Sequence, residues 1–370
     1  MRNFRISVPQ LKHTLLIYAG AVLCGAIGNW LDLPLPWMTG AMAFATVVRL
    51  SDLPVQVPLV TRPIGQMIVA TSVGLSFTPT AVAALSTLFA PMITAALLTI
   101  VAGFTVAALL MRMARVDVIT ATLSSIPMGP VESANLAQHH GVAPGPVILA
   151  QTLRIMMLVI FIPPALVALS DGIHDPIAVL RMIPWTVTGA LLLCSFGVAG
   201  AFVARALKLG NPFFVGSLGG AALAASLGFP VTAYPYPLLV GAQIFLGVWL
   251  GAVFDRDLLR QSGNFVLAAI GSSLAMVTLC AGMGLGLAWI TGQHWPVMIL
   301  STAPGSVTEM ALTAKVLQEG IAVVTAFHLV RIFIILPTAP WIIGMTARLA
   351  VLWGLHPHSG ESGGSASQKE

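Results

Sequence analysis

Charged side chains are scarce in this chain of 370 residues: Asp, Glu, Lys and Arg together make up only 8% of it, against 57% apolar residues. Soluble globular domains carry roughly 25% charged residues, so the composition excludes that class. Apolar runs of about 17–25 residues, the length that a bilayer requires, recur along the sequence. Each run must satisfy its own backbone hydrogen bonds by forming a helix. We therefore predict a polytopic, all-α membrane protein.

Several functional signatures are also missing. The three cysteines (Cys24, Cys194 and Cys280) lie in apolar runs without the spacing of a metal site, so we predict no redox role, no metal and no cofactor. Strand-type alternation is absent, which excludes a membrane β-barrel. The net charge of +5 comes from cations that stand singly at the ends of apolar runs. This pattern indicates membrane topology, so we predict no nucleic-acid partner.

Apolar runs between Pro, Gly and charged residues predict ten membrane helices in two series of five. The first series lies near 14–31, 36–50, 62–78, 87–112 and 144–169, and the second near 183–207, 212–228, 237–254, 264–291 and 320–348. Between the last two helices of each series lies a stretch broken by Pro (118–140 and 295–318), which we predict to be a re-entrant hairpin. The domain prediction is a cytoplasmic segment 1–13, membrane repeats 14–170 and 183–348, and a disordered cytoplasmic tail 355–370.

The two series are related by a nearly constant offset. The segment 127–132 (PMGPVE) returns as 304–309 (PGSVTE), 177 positions later. Five crossings per series is an odd number, so the second series begins on the opposite side of the membrane, and we predict two inverted repeats. The same shift of 177 also matches Gln66 with Gln243, Gly74 with Gly251 and Arg154 with Arg331, and a shift of 176 matches Pro36 with Pro212 and Gly40 with Gly216.

The distribution of cations predicts the orientation. If each hairpin returns to the side from which it enters, most cations near helix ends fall on one side, and the loop 171–175 falls on the other. The positive-inside rule makes the cation-rich side the cytoplasm, with both termini there; Arg181 is an exception. The cations on the predicted cytoplasmic side are Arg2, Arg5, Lys12, Arg49, Arg62, Arg112, Arg115, Arg205, Lys208, Arg256, Arg260 and Arg348.

Four ionisable residues that occur as repeat pairs are the main candidates for a site. A charged residue at the centre of a membrane helix costs roughly 2.5–3.5 kcal/mol on insertion scales, so Glu132, Glu309, Arg154 and Arg331 are predicted to bind substrate or ions. The glutamates fall in the first turn of a returning half-helix, where helix capping is the alternative. The arginines are expected to face the glutamates, the half-helix carbonyls or an anionic substrate, and a structural salt bridge is the alternative.

Further candidates surround these four. Gln66 and Gln243 are predicted to supply amide ligands, with helix–helix hydrogen bonding as the alternative. His328 lies three residues before Arg331 and is predicted to be a pH-sensitive neighbour of it. Backbone amides freed at the hairpin breaks favour an anion or a carboxylate. The predicted breaks are Pro127, Gly129 and Pro130 in the first copy and Pro304, Gly305 and Ser306 in the second.

Three segments resemble a known family: 35–40 (LPWMTG), 304–311 (PGSVTEMA) and 328–331 (HLVR). They are similar to the bacterial AbrB-duplication membrane family, often labelled as ammonia monooxygenases or AbrB family transcriptional regulators, and the resemblance covers about 14–348. The first copy departs from the family pattern at Met128, Ser133 and Thr152. The resemblance implies a multi-pass protein of the bacterial inner membrane. A copper oxygenase would require His and carboxylate clusters, and a transcription factor a basic soluble module; the sequence has neither.

We therefore predict a secondary transporter of a small solute or ion, and not an enzyme, that works by alternating access around the two hairpins. In this mechanism Glu132 and Glu309 are ion or proton sites, and Arg154 and Arg331 are counter-charges or anion clamps. The predicted partners are the lipid bilayer and the substrate, and homo-oligomerisation is left open. Two alternatives are a regulatory or sensory membrane protein that affects gene expression indirectly, and a membrane monooxygenase.

Overall fold

The structure is a computed structural model that describes residues 8–51, 53, 57–169, 182–254 and 256–352. Within these residues it consists of helices and their connections, with no strand. Residues 1–7 of the predicted N-terminal segment, the loop 171–175 and the predicted tail 355–370 lie outside the described residues. The helices are α1 (Val8–Trp30), α2 (Pro36–Leu50), α3 (Thr61–Gly74), α4 (Pro79–Thr87), α5 (Phe89–Ala114), α6 (Val118–Ser125), α7 (Pro130–His139), α8 (Pro144–Leu169), α9 (Val187–Ala206), α10 (Pro212–Ser226), α11 (Tyr236–Gly251), α12 (Arg256–Ser262), α13 (Asn264–Thr291), α14 (Trp295–Thr302), α15 (Val307–Leu317) and α16 (Ile321–Leu352).

Five of the described helices are long and apolar enough to cross a membrane: α5, α8, α9, α13 and α16. The pair α3 and α4 would make a sixth span, although the two helices are bent by 87° at their junction. Shorter apolar helices are Thr14–Trp30 of α1, α10 and α11. The chain is therefore an all-α integral membrane protein, as predicted, but several of the ten predicted spans are shorter than a full crossing.

Two predicted helices end too late. The predicted helix 62–78 stops at Gly74, and a separate helix, α4, begins at Pro79, because proline cannot donate the backbone hydrogen bond that would continue a helix. Thr78 caps α4 by accepting a hydrogen bond from the Ala81 amide (3.2 Å). The counterpart α11 ends at Gly251 rather than 254, and the short helix α12 follows it. Neither α4 nor α12 was predicted.

The bounds of the other helices differ less from the predicted bounds. Helices α2, α8 and α13 have the predicted ends, and α5 and α16 agree with their predictions within a few residues. Helix α1 begins at Val8, so the predicted cytoplasmic segment 1–13 is partly helical. Helix α9 begins at Val187 rather than 183, with the Thr186 hydroxyl capping it through the Gly189 amide (3.1 Å).

Helices α1 to α8 correspond in order to α9 to α16, and the contacts between the two halves are exchanged accordingly. Gly74 of α3 packs against α10, where an added Cβ would lie 2.6 Å from the Ala221 Cβ. Gly251 of α11 packs against α2, where an added Cβ would lie 2.9 Å from the Ala45 Cβ. Ala45 and Ala221 are themselves related by the shift of 176. Equivalent glycines thus make equivalent contacts, whereas the inverted orientation of the repeats in the membrane stays a prediction.

The described helices pack in two groups that cut across the sequence repeats. We call α1–α3 with α9–α11 the first bundle, and α5–α8 with α13–α16 the second bundle. In the first bundle α2 packs on α11 and α3 packs on both α10 and α11; in the second, α5 packs on α13 and α16, and α8 packs on α13. Each bundle therefore takes helices from both repeats. The bundles meet where α3 contacts α15 and α16.

Candidate functional site

Two broken segments lie in the second bundle. Helices α6 and α7 are separated by residues 126–129, and α14 and α15 by the equivalent residues 303–306. Ile126 and Ala303 are extended, with ψ values of 126° and 133°, as expected of residues that precede a proline. The predicted break residues Pro127, Gly129, Pro304, Gly305 and Ser306 all lie in these connections, and Pro130 is the first residue of α7. The re-entrant path of each segment stays a prediction.

Arg154 is buried, with 2% of its surface exposed, and binds backbone carbonyls. Its Nη1 donates to the carbonyls of Ser124 (3.2 Å) and Ser125 (3.0 Å) at the end of α6. Its Nε donates to the carbonyl of Pro304 (2.9 Å) in the break of the other repeat. The side chain of Gln151 accepts a further hydrogen bond from Nη2. Arg154 therefore joins the two breaks, and it is absent from the cavity described below.

Arg331 also binds backbone carbonyls, at the second break. It is buried (4% exposed), and it donates to the carbonyl of Ala303 (2.6 Å) and to that of Gly305. Carbonyls at the end of a helix have no partner within the helix, so both arginines satisfy groups that the breaks leave free. Of the partners considered for the arginines, the half-helix carbonyls are the ones observed; among the described residues neither arginine forms a salt bridge with Glu132 or Glu309.

Gln151, a residue that sequence reasoning missed, is the repeat equivalent of His328. The Gln151 Nε2 donates to the carbonyls of Leu123 (2.6 Å) and Ile126 (2.9 Å). The shift of 177 carries Gln151 onto His328 and Leu123 onto Leu300, and the His328 Nε2 lies 2.9 Å from the Leu300 carbonyl. His328 thus holds the end of α14 and does not line the cavity. The repeat offset itself was the signal that could have identified this pair.

A cavity of about 40 Å³ lies where both breaks meet the first bundle. A water molecule needs roughly 10–15 Å³ measured in this way, so the cavity has room for a few waters or a small ion. Its walls combine both predicted breaks with charged residues from four helices. The polar and break residues that line it are Pro127, Gly129, Pro130, Glu132, Gly305, Ser306, Glu309, Arg331, Arg62, Asn211 and Trp249.

Glu132 and Glu309 occupy the first turns of α7 and α15, as the sequence predicted. Glu309 is buried, with 6% of its surface exposed, and Glu132 is half-buried. In each of them Oε2 is buried and has no hydrogen-bond partner among the described residues. A buried acceptor left without a donor costs about 1–3 kcal/mol. These two oxygens can therefore accept a proton, a cation or a hydrogen bond from a ligand.

The two copies of the break are not equivalent. In the second, the Ser306 hydroxyl caps α15 by accepting a hydrogen bond from the Thr308 amide (3.3 Å). In the first, Gly129 has no capping side chain, and the Glu132 carboxylate lies where a Cβ on Gly129 would be placed. Glu132 therefore partly fills the space that a capping side chain would take, whereas Glu309 leaves its first turn capped by another residue.

Arg62 is the second residue that sequence reasoning missed. It was predicted to lie at a cytoplasmic helix end, but its guanidinium lies 3.9 Å from the centroid of the Trp249 ring. It is close enough to interact electrostatically with both Glu132 and Glu309. A guanidinium stacked on an indole face is a favourable cation–π contact. The shift of 177 relates Arg62 to Leu239, so no repeat signal marked it.

The predicted amide ligands Gln66 and Gln243 are buried where α3 crosses α11. At this crossing an added Cβ on Gly65 would lie 3.1 Å from the Ala242 carbonyl. Neither glutamine lines the cavity, and the Gln243 Oε1 has no hydrogen-bond partner among the described residues. Their role as ligands and the alternative of helix–helix hydrogen bonding both stay predictions. Lys315, also buried, donates to the carbonyl of Ser72 (3.0 Å) in the last turn of α3, where a cation is favourable.

His, Cys, Asp and Glu side chains are the potential metal ligands of the chain. Among the residues that the structure describes, no three His, Cys, Asp or Glu side chains are grouped closely enough to hold a metal ion. His294 and Glu319, 3.2 Å apart, form a pair between the start of α14 and the end of α15. This pair is separate from the cavity.

A family model described as "Transition state regulatory protein AbrB" matches residues 37–347, from α2 to α16, including both breaks. The chain belongs to the AbrB family. Among its relatives, "Uncharacterized protein YhjN" of Bacillus subtilis (strain 168) is 24% identical over 246 residues, which are 62% of this chain and 64% of the relative. "Putative regulator AbrB" of Escherichia coli (strain K12) is 29% identical over 106 residues, 29% of this chain and 30% of the relative. This AbrB-family chain thus matches less than two thirds of either relative's length.

Proposed function

We propose that this AbrB-family protein is a secondary transporter that moves a small solute or ion by alternating access. In this proposal it is a multi-pass protein of the bacterial inner membrane with both termini in the cytoplasm, its partners are lipid and substrate rather than nucleic acid, and it is not an enzyme. The observation that carries the proposal is that both helix breaks, both glutamates and Arg62 meet in one cavity between the two bundles.

The chemistry of the breaks supports this proposal. Irregular backbone is tolerated at membrane depth only where protein or a water-filled cavity satisfies it, and secondary transporters use such broken helices to bind substrate. In this chain Arg154 and Arg331 satisfy the carbonyl ends that the breaks expose. The amino-terminal ends of α7 and α15 remain directed to the cavity, with a glutamate in the first turn of each.

The residues of the cavity then have separate roles. Glu309, buried and with an unpartnered oxygen, holds the coupling proton or cation, and Glu132 completes the site from the other repeat. Movement of the second bundle against the first would open the cavity to one side of the membrane and then to the other. Arg154 and Arg331 act as counter-charges for the backbone and hold the two breaks in place during this movement.

A second candidate function is regulatory. The matching family model and the Escherichia coli relative are both described as regulators. A membrane sensor would bind a ligand in the same cavity without moving it across the bilayer. The two functions therefore make the same prediction for binding and opposite predictions for transport.

The test is uptake by purified protein reconstituted in lipid vesicles, with organic acids, amino acids and inorganic ions as solutes and proton or sodium gradients as the driving force. We expect the wild type to accumulate at least one solute, and Glu309→Gln to lower that rate by more than about tenfold, since the amide keeps the shape of the side chain but cannot hold a proton or cation. Glu319→Gln, a carboxylate change near the end of the same helix and outside the cavity, should retain the rate of the wild type.

Two results would decide against this assignment. If Glu309→Gln transports at the rate of the wild type, Glu309 is not the coupling site. If a solute raises the melting temperature of the wild type but none is accumulated, the regulatory function is correct instead. Arg331→Ala is a poorer probe, because it leaves the carbonyls of Ala303 and Gly305 without a donor and so perturbs folding.

A further inference from the structure

We infer that Arg62, stacked on Trp249, is the anion-binding group of the cavity, and that the substrates are small organic anions that bind together with a proton or cation at Glu309. This inference rests on the proposed function and specifies its substrate class. Arg62, Trp249 and Glu309 all line the same cavity.

Hydrogen bonds distinguish Arg62 from the other two arginines near the breaks. Three arginines lie at or near the breaks, but Arg154 and Arg331 donate to backbone carbonyls and hold the chain. Arg62 is half-buried and has no hydrogen bond to another described residue; its close contact is the Trp249 ring. A guanidinium offers five N–H donors in a planar fork that matches a carboxylate. Arg331 also lines the cavity and keeps one donor, its Nε, without a partner among the described residues. Arg62 is therefore the cavity cation whose guanidinium donors are all free for a ligand.

The net charge of the cavity depends on whether Glu309 is neutralised. Its charged lining is Arg62 and Arg331 against Glu132 and Glu309, which sum to zero, and the amino termini of α7 and α15 add partial positive charge. Arg62 interacts electrostatically with both carboxylates. A proton or cation at Glu309 removes one negative charge, so the cavity becomes net positive and favours an anion beside Arg62.

This coupling is reciprocal, because two ligands that each favour the other's binding do so by the same factor. The charged groups on the elements that pack against α15 are Arg62 on α3, Arg154 on α8, and His328, Arg331 and the exposed Arg348 on α16. Glu132 lines the same cavity as Glu309, and Lys315 lies on α15 itself. With Arg154 and Arg331 bound to carbonyls, Arg62 and Glu132 are the groups that respond when Glu309 is neutralised.

The walls of the cavity limit the anion that fits. The volume of about 40 Å³ requires a compact ligand. The flat face of Trp249 and the side chains of Ile155, Ile332 and Leu336 surround the charged groups with apolar surface. A short aliphatic carboxylate such as acetate combines a charge for Arg62 with a small apolar body for these walls.

The experiment measures the thermal stability of the purified protein with acetate, acetamide and acetamidinium, which share a methyl group and carry a negative, zero and positive charge. We expect acetate to raise the melting temperature, and more so at acidic than at neutral pH, because a proton at Glu309 favours the anion. Arg62→Gln should weaken acetate binding by about tenfold or more, which corresponds to about 1.4 kcal/mol. Arg62→Lys should retain part of the affinity, and Arg112→Gln, at an exposed helix end, should retain all of it.

Glu309→Gln supplies a separate readout, because the amide imitates the protonated acid. Acetate binding by this variant should persist and lose its pH dependence. The inference is overturned if acetamidinium stabilises the wild type and acetate does not, if acetate does not stabilise it at all, or if Arg62→Gln binds acetate like the wild type. Solute uptake with cation-only binding would leave the transporter proposal standing, whereas acetate binding without any uptake would remove transport and leave the anion site.

Discussion

Five buried polar side chains of the second bundle differ in their hydrogen-bond partners. Gln151, Arg154, His328 and Arg331 all bind carbonyls at the ends of α6 and α14. Glu309 instead presents an oxygen without a partner among the described residues. Burial alone does not separate these roles, because all five are buried. The hydrogen-bond partners separate them.

At this residue scale we predict that Arg154→Met lowers the free energy of unfolding by about 1–3 kcal/mol, the cost of leaving a buried acceptor without its donor. The carbonyls of Ser124, Ser125 and Pro304 would lose their donor, and the two breaks would lose their connection. The measurement is the fraction of protein that remains monodisperse in detergent after heating. Arg112→Met, at an exposed position, should behave like the wild type. Equal stability of both variants would mean that the carbonyls do not depend on Arg154.

Among the helices, close packing between the repeats depends on small residues at equivalent places. Gly74 brings α3 against α10, and Gly251 brings α11 against α2. These contacts set the position of α3 and α11, and hence of Arg62 and Trp249, which those helices carry. The cavity of the proposed transporter thus depends on packing that is distant from the breaks.

We predict at this scale that Gly74→Ala and Gly251→Ala each destabilise the protein by about 1–3 kcal/mol, since the added methyl group has no space and the neighbouring helix must shift. Gly282→Ala is the matched control, because an added Cβ there has no atom within 4 Å. Melting temperatures of the three variants in one detergent would provide the comparison. If the control loses as much stability as the other two, helix propensity rather than packing explains the effect.

The molecule as a whole is built by exchange of helices between two halves of the chain. Each bundle contains helices of both repeats, so neither half can form its bundle alone. The matched contacts of Gly74 and Gly251 support an approximate two-fold relation between the halves. A two-fold axis in the membrane plane would place equivalent positions on opposite sides of the bilayer.

Our prediction for the whole molecule is that equivalent positions label from opposite sides. In a background in which Cys24, Cys194 and Cys280 are replaced, Ser86→Cys should react with a membrane-impermeant maleimide from outside intact cells. Ser262→Cys, its equivalent at the shift of 176, should react only after the cells are opened. Reaction of both positions from the same side would exclude the inverted repeats.

By itself the sequence determined the features that depend on local chemistry: an all-α membrane fold, the offset of the two repeats, the breaks at Pro127 and Pro304, and the placing of each glutamate in a first helical turn. Hydrophobicity and the missing N–H of proline act within a few residues, so they can be interpreted from the chain alone. The tertiary structure alone decided which partners the charges take. Arg154 binds the Pro304 carbonyl 150 positions away, and Arg62 meets Trp249 because α3 packs on α11 of the other repeat. Contacts between distant segments depend on how whole helices pack, which no local pattern specifies.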